Sequence, residues 1–165
     1  MTSEPKKWRS ILLAASVIAA VGLAIGLFLF QYRPDRQIDG AAAHRAIRAA
    51  SDGAVAAVSY SPDSMDRDFA NAKSHLTGDF LAYYNKFTEQ IVAPVVQQKH
   101  ITQTATAVRA AVSDLHPESA VVLVFLNQTA TTTDKPEPLV TPSSVRVTLT
   151  KVNGSWLISK MDPLA

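Results

Sequence analysis

Twenty consecutive residues without a charge, "ILLAASVIAAVGLAIGLFLF" from Ile11 to Phe30, constrain this chain more than any other feature. Ser16 is their only polar side chain. At about 1.5 Å of rise per residue such a run matches the roughly 30 Å hydrocarbon thickness of a bilayer. Trp8 and Tyr32 stand at its two ends, where aromatic rings favour the membrane interface. A cleaved signal peptide has an apolar stretch of only about 7–15 residues, and the "AAA" at Ala41–Ala43 that imitates a cleavage site lies well beyond the run. The expectation is a retained transmembrane helix over residues 11–32. Lys6, Lys7 and Arg9 precede it, while Arg33 and Arg36 follow with Asp35 and Asp39 among them. The positive-inside bias then places residues 1–10 in the cytoplasm and everything after the span outside it. That predicts a single-pass protein of the plasma membrane with an exported C-terminal domain.

The exported part has to fold without covalent help, because the chain contains no cysteine. Disulfides, thiolate nucleophiles and cysteine metal sites are thereby excluded. After the polar joint "RPDRQIDG", residues 33–40, the remaining residues 41–165 suffice for one apolar core. Net charge is only +2, and no basic stripe interleaved with aromatics occurs, which argues against nucleic-acid binding.

Periodicity divides this domain in two. Ala43, Ile47, Ala50, Ala54 and Val58 recur at helical steps, predicting a helix from about Ala41 to Val58 that Gly53 weakens. Ser61-Pro62-Asp63 reads as the capped start of a second helix carrying Phe69, Ala72 and Leu76, with Gly78 ending it. Asp79 starts a third, whose stripe is Phe80, Tyr84, Phe87 and Ile91 and whose end is Pro94. Past His100 the period becomes two. Thr104–Val112 alternates loosely; Ala120–Leu126 is apolar on both faces and reads as a central strand. Ser144–Val152 alternates cleanly up to Asn153-Gly154, a strong hairpin signal that pairs Val152 with Ser155. Trp156 and Ile158 then share a face with Leu149 and Val147. Between the middle strands, Thr129–Pro142 reads as a polar, proline-rich loop. Three helices followed by at least four strands predict an α+β fold, with helices on one face of a curved antiparallel sheet. This is the order of an NTF2-like (cystatin-like) cone.

Acidic residues cluster in "SYSPDSMDRDFANAKSHLTGDF", Ser59–Phe80, and invite a chemical reading. Asp63, Asp66 and Asp68 lack the spacing and the glycine of a calcium loop. Capping of backbone amides, or pairing of Asp66 or Asp68 with Arg45 or Arg48, explains them better. An isomerase-type site on such a fold would combine a carboxylate, Asp79 or Asp114, with Tyr83, Tyr84 or His75, but no fixed spacing joins these residues. His44, His75, His100 and His116 share no ligand spacing. Asn127-Gln128-Thr129 and Asn153-Gly154-Ser155 fit the glycosylation pattern, and a strand end and a turn account for both. No catalytic, cofactor or metal residue is therefore assigned. Val122, Val124, Phe125, Val145, Val147, Leu149, Trp156 and Tyr84 either fill the cone or line a lipid pocket in it; close packing favours filling.

The same cluster resembles a signature of the Mce-associated membrane proteins of mycobacteria, in which one anchor precedes a "YSxxxxDxDxAxAxxxLTGxF" helix pair. Tyr60, Ser61, Asp66, Asp68, Leu76, Thr77, Gly78 and Phe80 match it. "AVVLVFLNQ" (Ala120–Gln128) and "VTLTKVNGSWLIS" (Val147–Ser159), with Gly154 and Trp156, match the later strand and hairpin of that family. The resemblance implies a non-enzymatic accessory subunit that assembles or stabilises an Mce-type importer of lipids such as fatty acids or sterols. It implies Mce-complex proteins and the membrane as partners. An exported lipid-binding module is the alternative, and an isomerase-like enzyme a more distant one.

Overall fold

A computed structural model describes residues 40–164; the tail, span and linker expected over residues 1–39 lie outside the described residues. No helix among the described residues is long and apolar enough to cross a membrane. Helix α1 runs Gly40–Ala57, α2 Met65–Ser74 and α3 Gly78–Phe87. A π-helical turn, Thr88–Val92, joins α3 to α4, Ala93–Lys99. Strands β1 (Thr102–Leu115), β2 (Ser119–Thr131), β3 (Leu139–Val152) and β4 (Ser155–Pro163) form one antiparallel sheet in the order β1-β2-β3-β4. The fold is the expected α+β, with helices on a curved four-stranded sheet.

Small residues let α1 lie close to that sheet. Ala46, Ala50 and Ala54 are fully buried against Val122, Val124, Val147, Leu149 and Ile158. At Gly53 the approach is closest: a Cβ there would stand 2.7 Å from Ile158 Cδ1 and 3.1 Å from His75 Cβ. The glycine that weakens the helix signal is thus the residue the packing requires. Four of the residues considered as a pocket lining, Val122, Val124, Val147 and Leu149, are fully buried core, while Tyr84 borders a cavity of about 220 Å³ with Phe69 and Thr88.

Several elements differ from the sequence reading. Pro94 does not end the third helix. The Ala93 amide donates to the Thr88 carbonyl, five residues back, and the widened turn relieves the clash a proline ring makes with the carbonyl four residues earlier. The rod continues to His100, whose left-handed conformation (φ 49°) caps it. Its inward side is Tyr84, Thr88 and Val96, all buried, whereas Phe87 and Ile91 of the expected stripe face out. Ser61 is not the N-cap of α2; Ser64 is, after a turn in which the Ser64 amide donates to the Ser61 carbonyl. Likewise α2 ends at Ser74, and Gly78 (φ 60°) opens α3 instead of closing α2.

In the sheet, the expected loop Thr129–Pro142 shrinks to residues 132–138, because Thr129–Thr131 pair with β1 and Leu139–Pro142 with β2. Pro142 is tolerated because β4 reaches only as far as Val145, leaving that end of β3 an edge. Register shifts between Ala107 and Arg109, and between Val112 and Asp114, explain the loose alternation of β1, since each extra residue exchanges the two faces. On β2, Ala120, Val122, Val124 and Leu126 point to the helices; Phe125 on the opposite face is 45% exposed. β2 is interior within the sheet, yet covered on one side. The hairpin forms as expected, with Val152 paired to Ser155 and Leu149 to Ile158.

Two bridges flank α2. Before it, Tyr60 pairs antiparallel with Gln103 on edge strand β1; after it, Leu76 pairs parallel with Ile158 on the opposite edge strand, β4. The segment from Tyr60 to Leu76 therefore crosses from one edge of the sheet to the other.

Candidate functional site

An open groove of about 910 Å³ lies between the C-terminal half of α1, α2 and the first half of β1. Hydroxyls and carboxylates stand in an otherwise largely apolar wall: Ser51 and Asp52 of α1, Ser64 and Asp68 of α2, Thr104 and Thr106 of β1. At one end Ser61 Oγ and Ser64 Oγ are 2.8 Å apart, and Ser64 Oγ donates to Asp68 Oδ2 at 2.5 Å. Asp68 Oδ2 also accepts the Ser61 amide at 3.2 Å. A hydroxyl–hydroxyl–carboxylate chain of this kind can activate an alcohol, but here each member also ties the turn before α2 to its helix. Asp68 is the cap that the aspartate cluster was expected to hold, reached from one turn further along.

Beside the groove, Tyr60 and Gln103 exchange backbone hydrogen bonds (2.8 and 2.9 Å). The Tyr60 hydroxyl donates to Gln103 Oε1 at 3.3 Å. Gln103 Nε2 donates to the Val58 carbonyl and to Gln128 Oε1, and Gln128 Nε2 to Ser143 Oγ. The row Tyr60–Gln103–Gln128–Ser143 thus binds the pre-α2 segment to three strands in succession. Burial raises the Tyr60 phenol above its ordinary pKa. Tyr84, buried and donating to the Ala57 carbonyl at 3.0 Å, is raised further by burial and by the nearby Tyr60. Both phenols are held as hydrogen-bond donors.

The remaining signature residues serve the fold. The Thr77 amide donates to the Ile158 carbonyl (2.9 Å) and the Ile158 amide to the His75 carbonyl (2.8 Å), with Leu76 buried between them. Thr77 is the N-cap residue of α3, Gly78 supplies the positive φ of its first position, and Phe80 packs at the rim of the core. Gly154 (φ 83°) completes the hairpin turn; Trp156 lies half-buried with Lys151 Nζ 5.3 Å from its ring centre. Asp66 is exposed, and among the described residues neither it nor Asp68 pairs with Arg45 or Arg48. Asp68 lies 3.9 Å from Arg67 instead.

The residues considered for an isomerase-type site are not brought together. Asp79 is in the first turn of α3, Tyr83 is exposed on that helix, and Tyr84 is in the core. Asp114 sits at the end of β1, bonded to His116 at 3.1 Å. His75 lies at the end of α2, on the rim of the groove. Sequence reasoning missed the hydroxyls of the groove, because serines and threonines on three separate elements leave no local pattern.

The family described as "Uncharacterized protein Rv1363c/MT1408-like" matches residues 4–164, and the chain belongs to it. Among its relatives, "Uncharacterized protein Rv1362c" of Mycobacterium tuberculosis is 55% identical over 154 residues, covering 93% of this chain and 70% of that protein. "Outer membrane protein Rv1973" of the same species is 42% identical over 146 residues, 88% and 91% of the respective chains. Two solved structures are similar in fold. One is an IcmL-like type IV secretion system protein from Legionella pneumophila (TM-score 0.59, 12% identity, 72% of this chain and 91% of that one). The other is an Ntf2 like protein involved in plasmid conjugation (TM-score 0.50, 9% identity, 74% and 48%). The NTF2-like expectation for the domain is supported by these neighbours.

Proposed function

We propose that the chain is a non-enzymatic, membrane-anchored accessory subunit of an Mce-type lipid importer. Its NTF2-like domain is held outside the membrane by a single span and works by assembling or stabilising the complex. The observation that carries this reading is an apolar stripe along the α3–α4 rod that stays partly exposed among the described residues. Tyr83 is 58% exposed, Phe87 37%, Ile91 55% and Val95 39%. The rings of Tyr83 and Phe87 stack at 5.7 Å with 12° between their planes, and Phe80 continues the row at 6.3 Å and 21°. A rigid aromatic row, already ordered before any contact, is the kind of surface from which protein interfaces draw most of their affinity. Anchoring supports the same reading, because a span confines the domain to the plane of its partner and raises its effective concentration.

The signature residues point in the same direction. Apart from the exposed Asp66, those that carry the resemblance are engaged in bridges, caps, turns and packing, which leaves the outer surface to do the recognising. The test is recovery of Mce-complex proteins with the tagged full chain in mild detergent. Co-purification that is lost in a Tyr83→Ser/Ile91→Ser variant is the expected result. Recovery of no Mce subunit under those conditions overturns the proposal.

A further inference from the structure

We infer that a second groove, on the outer face of α1, binds the phosphate headgroup of anionic lipids at the membrane surface. This rests on the membrane-anchored reading. The groove encloses about 460 Å³ between the outer face of α1 and the β3–β4 hairpin turn. His44, Arg45, Arg48 and Asp52 form one wall, His75 and Trp156 the other.

Its charge is cationic. Arg45 and Arg48 lie one turn apart on a single helix face, close enough for both guanidinium forks to converge on one phosphate. Both are exposed, and among the described residues neither enters an ion pair. Asp52 is the one carboxylate in the lining and opposes them. Lys151 lies over Trp156 but is engaged with the Pro117 carbonyl (3.1 Å) and Glu118 (3.9 Å), which leaves the two arginines as the available cations. Trp156 adds an amphipathic ring of the type that favours the headgroup layer.

The anchored reading supplies the ligand. Nine residues, 31–39, separate the end of the apolar run at Phe30 from the start of α1 at Gly40, and so short a tether keeps the headgroups of the same membrane at a high effective concentration for a cationic groove on α1.

The experiment uses the full chain with Trp8→Phe, which leaves Trp156 as the only tryptophan. It is reconstituted into nanodiscs of phosphatidylcholine containing increasing fractions of phosphatidylglycerol. Trp156 emission is expected to change with the anionic fraction and to revert at high salt. Arg45→Gln/Arg48→Gln should weaken the response about 30-fold, from roughly fivefold per basic side chain near the surface. Asp52→Asn should strengthen it, which a merely structural role for the groove does not predict. A response to added inorganic phosphate without one to phosphatidylglycerol overturns the lipid assignment, and a response to neither overturns the site. Co-elution with pure phosphatidylcholine discs reports the anchor separately. If the chain fails to co-elute, the same tryptophan is followed with phosphatidylglycerol vesicles added from outside, and an unchanged emission then overturns the site as well.

Discussion

Leu76 and Ile158 are partners in a one-residue parallel bridge, with Ile158 bonded through its amide to His75 and through its carbonyl to Thr77. The Ile158 side chain is fully buried, and its Cδ1 fills the space that a Cβ at position 53 would need. Gly53→Ala should therefore destabilise the domain by about 1–3 kcal/mol through overpacking, although alanine is the better helix former by about 1 kcal/mol. Denaturant unfolding decides the sign, and Ile158→Val should recover part of the loss. A more stable Gly53→Ala variant would show that α1 does not press on β4.

Asp68 and Asp66 are separated by one residue and should behave differently. Asp68→Ala removes the acceptor of the Ser61 amide and the Ser64 hydroxyl, at a cost of about 1 kcal/mol. Asp66→Ala changes an exposed side chain and should stay within about 0.5 kcal/mol of the parent. Equal effects in thermal unfolding would contradict the cap.

Tyr84→Phe deletes the donor to the Ala57 carbonyl and leaves a buried acceptor without its partner, costing about 1–3 kcal/mol. The phenol also titrates. Its folded pKa lies above the ordinary 10.0, so its contribution is complete below pH 10 and is lost as pH rises further toward the folded value. Stability should decline in the alkaline range above pH 10, and the decline should be shallower in Tyr84→Phe. A slope unaffected by the substitution would assign it to other groups, Tyr60 first among them.

Tyr83→Ser/Ile91→Ser removes two exposed side chains of the apolar stripe on the α3–α4 rod. Unfolding free energy should change by no more than about 0.5 kcal/mol per site, while co-purification with the importer is lost. A large loss of stability would mean that the stripe packs within the domain.

Local signals carried the reading of the helices and the hairpin. Asn153-Gly154 registers Val152 against Ser155, and from there the faces of Leu149 and Ile158 follow, because turn geometry and strand parity are both local. What escaped depends on neighbours remote in sequence. Pro94 reads as a stop until the π turn before it is known, and Thr129–Pro142 reads as a loop until strand partners use half of its residues. The alternative faces of the third helix, Tyr84 inward and Phe87 outward, differ by which side α1 happens to cover. The larger groove was illegible for the same reason, while Arg45 and Arg48 were visible as the outer face of α1 without any hint of the hairpin turn beside them.

The two bridges that flank α2 make a closed circuit of the sheet. An open four-stranded sheet can fray from either side independently, but here Gln103 on one border and Ile158 on the other are fastened to the same seventeen-residue interval, from Tyr60 to Leu76. That interval acts as a strap: release of one fastening frees the chain that leads through α2 to the other. Amide exchange at Gln103 and at Ile158 should consequently report a single opening event, and a pull on the rod or on the start of α1 should be shared between both borders of the sheet.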